Sequence, residues 1–173
     1  MKANAIPFTV DALEALFTLD TENGRLFRRG LSKGPKRQPS TKTPYRKIEI
    51  AGTAYGEHRI IWMLVSRAAI PEGMEIDHID RNPYNNRPSN LRLVTRTQNM
   101  ANTTKRRNNS TGYKGVSRAR NSYAAEIMVS GVKRHLGYFC TAEGAARAYD
   151  LAASSAFGEY ALTNAGMNLL LAH

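Results

Sequence analysis

Apolar and polar positions near the start of the chain follow a helical period. Four apolar side chains share one face at that spacing, which predicts a short helix: Val10, Leu13, Leu16 and Phe17. The Asn23-Gly24 pair that follows is typical of a tight turn, and it leads into an extended segment with the sequence RLFRR. The chain is therefore expected to open with a helix and a hairpin.

The middle of the chain alternates between loop and strand patterns. Residues 31–44 contain glycine and proline at several positions and predict a loop. From Tyr45 to Ile50 the apolar residues alternate, which predicts a strand, and Ala51-Gly52 predicts the turn after it. Residues 58–68 are mostly apolar and fit either a buried helix or a strand, because periodicity alone does not decide between them.

The last part of the chain has a pattern of its own. Residues 101–112 are polar and basic, and they predict a linker. Three runs of strand-like sequence follow, separated by short turns: residues 113–118, 122–130 and 133–139. Thr141 then predicts the N-cap of an alanine-rich helix that extends from about Ala142 to Phe157. A three-stranded sheet with one helix is expected to form a small independent module.

Positive charge is concentrated in two stretches of the 173-residue chain, whose formal net charge is +11. No acidic residue interrupts residues 23–48 or residues 105–120. Clustering of this kind predicts surfaces that contact phosphate groups, and a solvated basic linker is the alternative for either stretch alone. We expect nucleic acid rather than a membrane as the partner, since no basic amphipathic helix is found in the sequence.

Cysteine content and hydropathy limit the compartment. The single cysteine, Cys140, excludes a disulfide within one chain and a cysteine zinc cluster. The start MKANAIPFTV does not resemble a signal peptide, and the longest strongly apolar run, from Ile60 to Val65, is too short to span a bilayer. We expect a protein of the cytoplasm, in a bacterium or a phage-infected host cell.

The segment 75–99, EIDHIDRNPYNNRPSNLRLVTRTQN, combines residue types suited to phosphodiester hydrolysis. Its pattern predicts a strand that ends at Asp77 and His78, a loop, the strand LRLV, and a helix that a Thr-x-x-Gln capping box begins. Hydrolysis of a phosphodiester needs a base for water and a cation beside the phosphate. His78 suits the first role, and the oxygens of Asp77 and Asn99 suit Mg²⁺.

This segment, with NGRLFRR, YRKI and HRIIW upstream, resembles the HNH nuclease family in its His-Asn-Asn version, over roughly residues 15–104. The resemblance implies that His78 is the general base. It implies that Asp77 and Asn99 hold one divalent metal, expected to be Mg²⁺, for which Mn²⁺ could substitute. Asn90, in SNLR, is expected to brace the loop between the strands and to help orient His78. No structural zinc is expected, because the chain lacks the cysteine pairs that many HNH proteins use.

Three more residues have roles that the sequence leaves open. His58, in HRIIW, fits the wider family pattern and could contact phosphate, support the site or pack in the core. Arg81 and Arg87 lie in the loop that follows His78, where they could clamp the scissile phosphate or simply be solvated.

Residues 110–164 resemble the Apetala-type DNA-binding domain of plant ethylene-response factors, through YKGV, AAEI, LGYF, AARAYDLAA and the closing Asn164. The resemblance implies that the exposed face of the three-stranded sheet enters the major groove of DNA. The residues carried over as DNA contacts are Arg118, Arg120, Tyr123, Lys133 and Arg134. Ser117 and Met128 stand where the plant domains often have arginine, so the plant target sequence does not carry over. Glu126 is expected to face away from the helix, where it could orient an arginine.

Together these patterns predict an α+β protein with a ββα-metal HNH nuclease module, preceded by a small β-rich N-terminal region and followed by a three-stranded antiparallel sheet with one helix. The expected boundaries are 1–44 for the N-terminal helix, hairpin and basic loop, 45–104 for the nuclease module, 105–112 for a basic linker, 113–165 for the Apetala-type domain and 166–173 for a tail. We expect the chain to cut double-stranded DNA, as a homing-type or phage-borne endonuclease, with a monomer slightly favoured. The alternatives are a DNA-binding regulator whose HNH fold does not cut and a protein that binds structured RNA.

Overall fold

A computed structural model describes residues 5–30, 45–105 and 107–170 of the chain. The chain forms two compact units, Met1–Val94 and Thr95–His173, each of which is described by itself. The basic loop predicted at residues 31–44 lies outside the described residues. No helix in the described part of the chain is long and apolar enough to cross a membrane.

The first unit begins with the predicted helix and hairpin. Helix α1 (Val10–Leu16) starts at Thr9, whose side chain accepts a hydrogen bond from the backbone N–H of Ala12 at 3.2 Å. Strands β1 (Phe17–Asp20) and β2 (Arg25–Arg28) pair antiparallel across the turn that contains Gly24. Gly24 has a φ of +60°, a conformation that favours glycine, so the turn prediction is confirmed.

A second hairpin leads into the central helix of this unit. Strand β3 (Lys47–Ile50) pairs antiparallel with β4 (Thr53–Gly56) across the predicted turn. The apolar run whose type the sequence left open is a helix, α2 (Glu57–Ser66). It packs against α1, β2 and β4, and the fully buried side chains of this core include Leu13, Leu26, Ile60, Ile61 and Met63.

The predicted strand-loop-strand segment also forms. Strand β5 (Met74–His78) pairs with β6 (Leu91–Thr95) in a two-stranded sheet, and a short 3-10 turn at Pro88–Asn90 precedes β6. Strand β5 therefore ends at His78, as the sequence pattern predicts.

The second unit begins with helix α3 (Arg96–Ala101), and the predicted capping box at its start is confirmed. The Thr95 side chain accepts from the backbone N–H of Gln98 at 3.3 Å, and the Gln98 side chain accepts from the backbone N–H of Thr95 at 2.8 Å. Asn99 lies in the middle of this six-residue helix and is partly exposed.

A three-stranded antiparallel sheet and one long helix form the rest of the second unit. The sheet contains β7 (Val116–Ala119), β8 (Ser122–Val129) and β9 (Val132–Phe139), and β8 is the central strand. Helix α4 (Ala142–Phe157) has the bounds that its sequence predicts, with Thr141 as N-cap. Its buried alanines, Ala145, Ala146 and Ala153, let the helix lie close to the sheet.

Strand β7 starts three residues later than the pattern indicates, because a hydrogen-bonded turn precedes it. The Asn109 side chain donates to the backbone carbonyl of Tyr113 at 2.7 Å and accepts from the backbone N–H groups of Thr111 and Gly112. The end of the predicted linker is therefore ordered structure.

Lysine and asparagine side chains connect the parts of this second unit. Asn164 is fully buried; it accepts from the backbone N–H of Lys114 at 2.7 Å and donates to Asp150 at 2.9 Å. The Lys114 ammonium donates to the carbonyl of Ala101 at 2.6 Å and to that of Leu162 at 3.1 Å. The C-terminal end of α3 is thus bound to the sheet-and-helix module.

These elements confirm a mixed α and β fold with small antiparallel sheets. The strands β5 and β6 belong to the first unit and α3 to the second, so the ββα-metal arrangement stays a prediction. The division into five segments likewise stays a prediction.

Candidate active site

His78 occupies the last position of β5, and only 5% of it is exposed. Its Nε2 atom lies 2.9 Å from Oδ1 of Asn86, which is 1% exposed. Asn86 is the second residue of the NN pair in the loop between β5 and β6. A buried imidazole that is held through one ring nitrogen has a fixed orientation, as a general base requires.

Asp77 precedes His78 and is also buried. One carboxylate oxygen, Oδ2, accepts from Nε of Arg92 at 3.1 Å and from Nη2 of Arg92 at 3.0 Å. Arg92 lies on the paired strand β6, and its side chain is 15% exposed. A buried carboxylate needs such a cation, since burial without a partner is costly. No local pattern in the sequence signals this cross-strand pair.

Asn90 braces the loop between β5 and β6, as its predicted role requires. Its side-chain oxygen accepts from the backbone N–H of Asp80 at 3.0 Å, and its amide donates to Asp80 Oδ1 at 2.8 Å and to the carbonyl of Asn85 at 2.7 Å. Asn86, which follows Asn85 in this loop, contacts His78 directly. The role of Asn90 in orienting His78 stays a prediction.

Asp80 receives several hydrogen bonds at the base of the same loop. Burial alone would raise the pKa of its carboxyl, but donors from Asn85, Asn82 and Asn90 together lower it. The ionised carboxylate is therefore the form that holds the loop.

Glu57 is another residue of the site that the sequence pattern did not reveal. It is fully buried at the start of α2, and its Oε2 accepts from the Asn86 amide at 3.3 Å. Its Oε1 accepts from the backbone N–H of Leu26 at 2.9 Å. Burial raises the pKa of Glu57, and these donors, with Arg46 and Arg25, oppose that rise. A glutamate in the first turn of an apolar helix does not by itself indicate such contacts.

His58 and Tyr45 form an aromatic group with His78. The ring centroids of His58 and His78 lie 5.2 Å apart, and the Tyr45 centroid lies 5.2 Å from that of His58 and 5.9 Å from that of His78. Burial, followed by the positive charges of His78 and Arg59, lowers the pKa of His58 to about 3. His58 is thus a neutral packing neighbour of His78 at physiological pH.

The two arginines of the loop take different positions. Arg87 is exposed, and its Nε donates to the backbone carbonyl of Glu22 in the β1–β2 turn at 2.6 Å. Arg81 is exposed too, and it adopts a φ of +64° just after the strand. Arg87 is thus held against the hairpin, whereas Arg81 lies in the turn that follows His78.

The donor chemistry of this region suits a hard divalent cation. Mg²⁺ prefers oxygen ligands and keeps several waters, so one or two protein ligands are enough. The Asp77 carboxylate offers one such oxygen, and the sequence pattern offers the amide oxygen of Asn99 as another. In residues 5–30, 45–105 and 107–170 no three His, Cys, Asp or Glu side chains group closely enough to hold a metal ion.

The residues of this site lie within a recognisable part of the chain. Residues 55–101 match the HNH endonuclease family. The matched segment includes His78, Asp77, Asn90 and Asn99, and also Glu57 and Asn86.

Two viral proteins are similar to part of the chain. An uncharacterized HNH endonuclease, L560, of Acanthamoeba polyphaga mimivirus is 39% identical over 108 residues, which are 62% of this chain and 56% of that protein. Protein 3.8 of Escherichia phage T7 is 37% identical over 76 residues, 44% of this chain and 53% of that protein. The chain thus spans about half the length of these relatives. No solved structure matches it.

Beyond the matched segment, the pairing register of the strands decides which predicted DNA contacts share a face of the sheet. Ala125 and Ile127 are buried against α4, so residues between them along β8 face the other way. Tyr123 lies on the buried face, where it packs on the cluster that contains Val116 and Ala125. Tyr123 is half-buried there, and its DNA contact stays a prediction.

The basic residues of the sheet divide between its two faces. Arg118 lies opposite Tyr123, and Arg134 lies opposite Ile127. Both arginines are therefore on the face of the sheet that packs against α4, although their side chains are exposed. Lys133 pairs with Met128 on the outer face, and its ammonium forms an ion pair with Glu126 at 2.6 Å. Glu126 thus faces away from the helix as expected, with a lysine rather than an arginine as partner.

Arg120 lies in the two-residue turn between β7 and β8, with a φ of +48°, and is exposed. The predicted DNA-contact residues therefore do not form one continuous face. The cause is the pairing register of the strands, which the sequence alone did not supply.

Proposed function

We propose that the chain is a metal-dependent DNA endonuclease with one HNH active site. The observation that carries the proposal is the buried pair at the end of β5, in which Asn86 holds His78 and Arg92 holds Asp77. Both side chains are thus held in one orientation beside an exposed loop, as a general base and a metal ligand require. The HNH family match over these residues and the net charge of +11 support the same function.

His78 is proposed as the general base. It takes a proton from water as the water oxygen forms a bond to phosphorus, and the bond from phosphorus to the 3′ oxygen breaks. The 3′ oxygen leaves and takes up a proton from solvent, so the products carry 5′ phosphate and 3′ hydroxyl ends. Asn86 keeps the imidazole oriented during this transfer, and Asn90 holds the loop that contains Asn86.

Asp77 and Asn99 are proposed to hold the divalent cation, for which Mg²⁺ is expected and Mn²⁺ could substitute. When bound, such an ion supplies positive charge that stabilises the phosphate and the leaving oxygen. Arg92 keeps Asp77 in place through two donors to a single oxygen. Arg81 is proposed to contact the scissile phosphate, since it is exposed next to His78.

The second unit is proposed to bind double-stranded DNA and to bring the HNH domain to preferred sites. Its sheet and helix are the elements expected of an Apetala-type domain, with Arg118, Arg120, Lys133 and Arg134 as candidate contacts. A homing-type or phage-borne role is proposed by analogy with the viral origin of both relatives.

The test is a cleavage assay on supercoiled plasmid with Mg²⁺, with Mn²⁺ or with EDTA. Wild type is expected to nick or linearise the plasmid only with metal, and His78→Ala is expected to lose at least about 100-fold in rate. Glu49→Gln is the control, because Glu49 is an exposed glutamate of β3 and its substitution should leave the rate unchanged.

Binding measured in EDTA separates this function from its rivals. A protein that binds duplex DNA but never cuts it under any metal would be a regulator. A protein whose DNA complex is displaced preferentially by structured RNA would be an RNA-binding protein. Either result would overturn the endonuclease proposal.

A further inference from the structure

Three hydrogen bonds connect the β2 backbone to His78 through two buried side chains. The backbone N–H of Leu26 donates to Glu57 Oε1 at 2.9 Å, the amide of Asn86 donates to Glu57 Oε2 at 3.3 Å, and Asn86 Oδ1 lies 2.9 Å from His78 Nε2. Glu57 is 0% exposed and Asn86 1% exposed, so solvent does not replace these bonds. We call Glu57, Asn86 and His78 the relay.

The carboxylate at one end of the relay determines the direction of every bond in it. Both oxygens of Glu57 already accept a hydrogen bond, so the group acts as an acceptor only, as an ionised carboxylate does. Asn86 must therefore turn its NH₂ group toward Glu57. Its oxygen then faces His78 and can only accept, which requires a proton on Nε2 of a neutral His78. The lone pair of the imidazole is then on Nδ1.

We propose that Glu57 is a positioning residue that sets the tautomer of His78 through Asn86. The inference rests on the proposed function for its consequence, because the tautomer affects catalysis only where His78 accepts a proton from water. Glu57 touches neither substrate nor metal in this role. It keeps Nδ1 as the ring nitrogen that carries the lone pair.

Replacing the carboxylate by an amide of the same shape should reverse the relay. In Glu57→Gln the backbone N–H of Leu26 still needs an acceptor, so the introduced amide oxygen turns toward it. The introduced NH₂ group then faces Asn86, whose amide must rotate to present its oxygen. The Asn86 NH₂ group now faces His78, so Nε2 must accept and the proton moves to Nδ1. All three hydrogen bonds persist, yet the proposed basic nitrogen now carries the proton.

The experiment is a long-range ¹H–¹⁵N correlation spectrum of the full chain labelled at its four histidines. It is recorded well above the ordinary histidine pKa of about 6.5, so that the neutral tautomer is observed. His78→Ala identifies the His78 signals by their disappearance. Wild type is expected to carry the proton on Nε2, and Glu57→Gln on Nδ1. Glu49→Gln, at an exposed glutamate of β3, should match wild type.

A proton on Nδ1 of His78 in wild type would overturn the inference, even where Glu57→Gln does not fold. The same tautomer in wild type and in folded Glu57→Gln would overturn it too. Where wild type cuts DNA, Glu57→Gln is expected to lose about 100-fold or more in rate with unchanged affinity for DNA in EDTA. If wild type cuts no DNA, the endonuclease proposal fails while the spectrum still decides the tautomer.

Discussion

His58 shows how a single buried residue changes the response of the fold to pH. Its ring lies close to those of Tyr45 and His78, and burial first, then the charges of His78 and Arg59, lowers its pKa to about 3. Among the roles that the sequence left open, packing agrees best with this position. A neutral ring at this place adds no charge beside the proposed base.

The free energy of unfolding should decrease as the pH falls from about 6.5 toward 3, because His58 stays neutral in the folded chain while the unfolded chain takes up a proton. Because the pKa of His58 is lower in the folded chain than in the unfolded chain, the stability begins to decrease near pH 6.5 and stops decreasing near pH 3. One proton contributes at most about 1.4 kcal/mol per pH unit. Urea denaturation followed by the fluorescence of Trp62, the single tryptophan, measures it.

His58→Gln should reduce the slope of the free energy of unfolding against pH in this range, because one titrating group is removed. His135→Gln, at an exposed histidine, should leave that slope as in wild type. Equal slopes in wild type and His58→Gln would show that another group is responsible.

At the scale of the element, the β1–β2 hairpin supports the loop that holds His78. Gly24 lies so close to this loop that an added Cβ would overlap the backbone of Asn86 and of Arg87. Arg87 in turn donates to the carbonyl of Glu22 in the same turn. The hairpin therefore helps to fix the position of Asn86.

Gly24→Ala should displace this loop and strongly reduce the cleavage rate. It should also lower the free energy of unfolding by much more than a positive φ alone would. Gly52→Ala is the matched control, because Gly52 also has positive φ, at +77°, and has open space around it. The control should lose about 1 kcal/mol in the free energy of unfolding and keep its cleavage rate. Similar losses in both variants would mean that contact with the loop is unimportant. Urea denaturation and the plasmid assay provide the two measurements.

Elements determined by neighbouring residues could be predicted from the sequence. The capping box at Thr95, the helix that begins after Thr141 and the turn at Gly24 all depend on a few adjacent positions. The helix α2 could not be distinguished from a strand, because its apolar run fits both periods.

The site was predictable as far as its motif extends. Asp77, His78 and Asn90 follow from the sequence pattern and its resemblance, whereas Glu57 meets Asn86 across 29 positions of the chain. Contacts of that kind depend on how elements pack. The face of Tyr123 similarly depends on strand register, which a run of strand-like residues does not specify.

For the molecule as a whole, the net charge of +11 should make DNA binding strongly dependent on salt. Arg118 and Arg134 are exposed at the sheet of the second unit, which makes them candidates for phosphate contact. Arg67 is also exposed, but it forms ion pairs with Asp11 and Glu14 in the first unit. It is therefore the matched control for an arginine whose charge is already balanced.

Arg118→Ala and Arg134→Ala should each weaken duplex binding and lower the slope of log affinity against log salt by about 0.9 for each phosphate that is no longer neutralised. Arg67→Ala should leave that slope unchanged. Fluorescence anisotropy with a labelled duplex in EDTA, over a range of salt concentrations, gives the slopes. Unchanged slopes in both sheet variants would place the DNA-binding surface elsewhere.

The bonds from Lys114 to Ala101 and Leu162 bear on how this chain could be recombined with others. The sequence of the basic segment 105–112 predicts a linker, which would favour a recombination junction there. Such a junction would separate α3 from Lys114, whose side chain binds the last turn of that helix. A recombination junction before α3 would place Asn99 and Asp77, the two proposed metal ligands, on segments from different parents. Chimeras made by exchanging the C-terminal half alone should therefore lose the proposed cleavage activity, and gene shuffling should favour inheritance of both halves as one cassette.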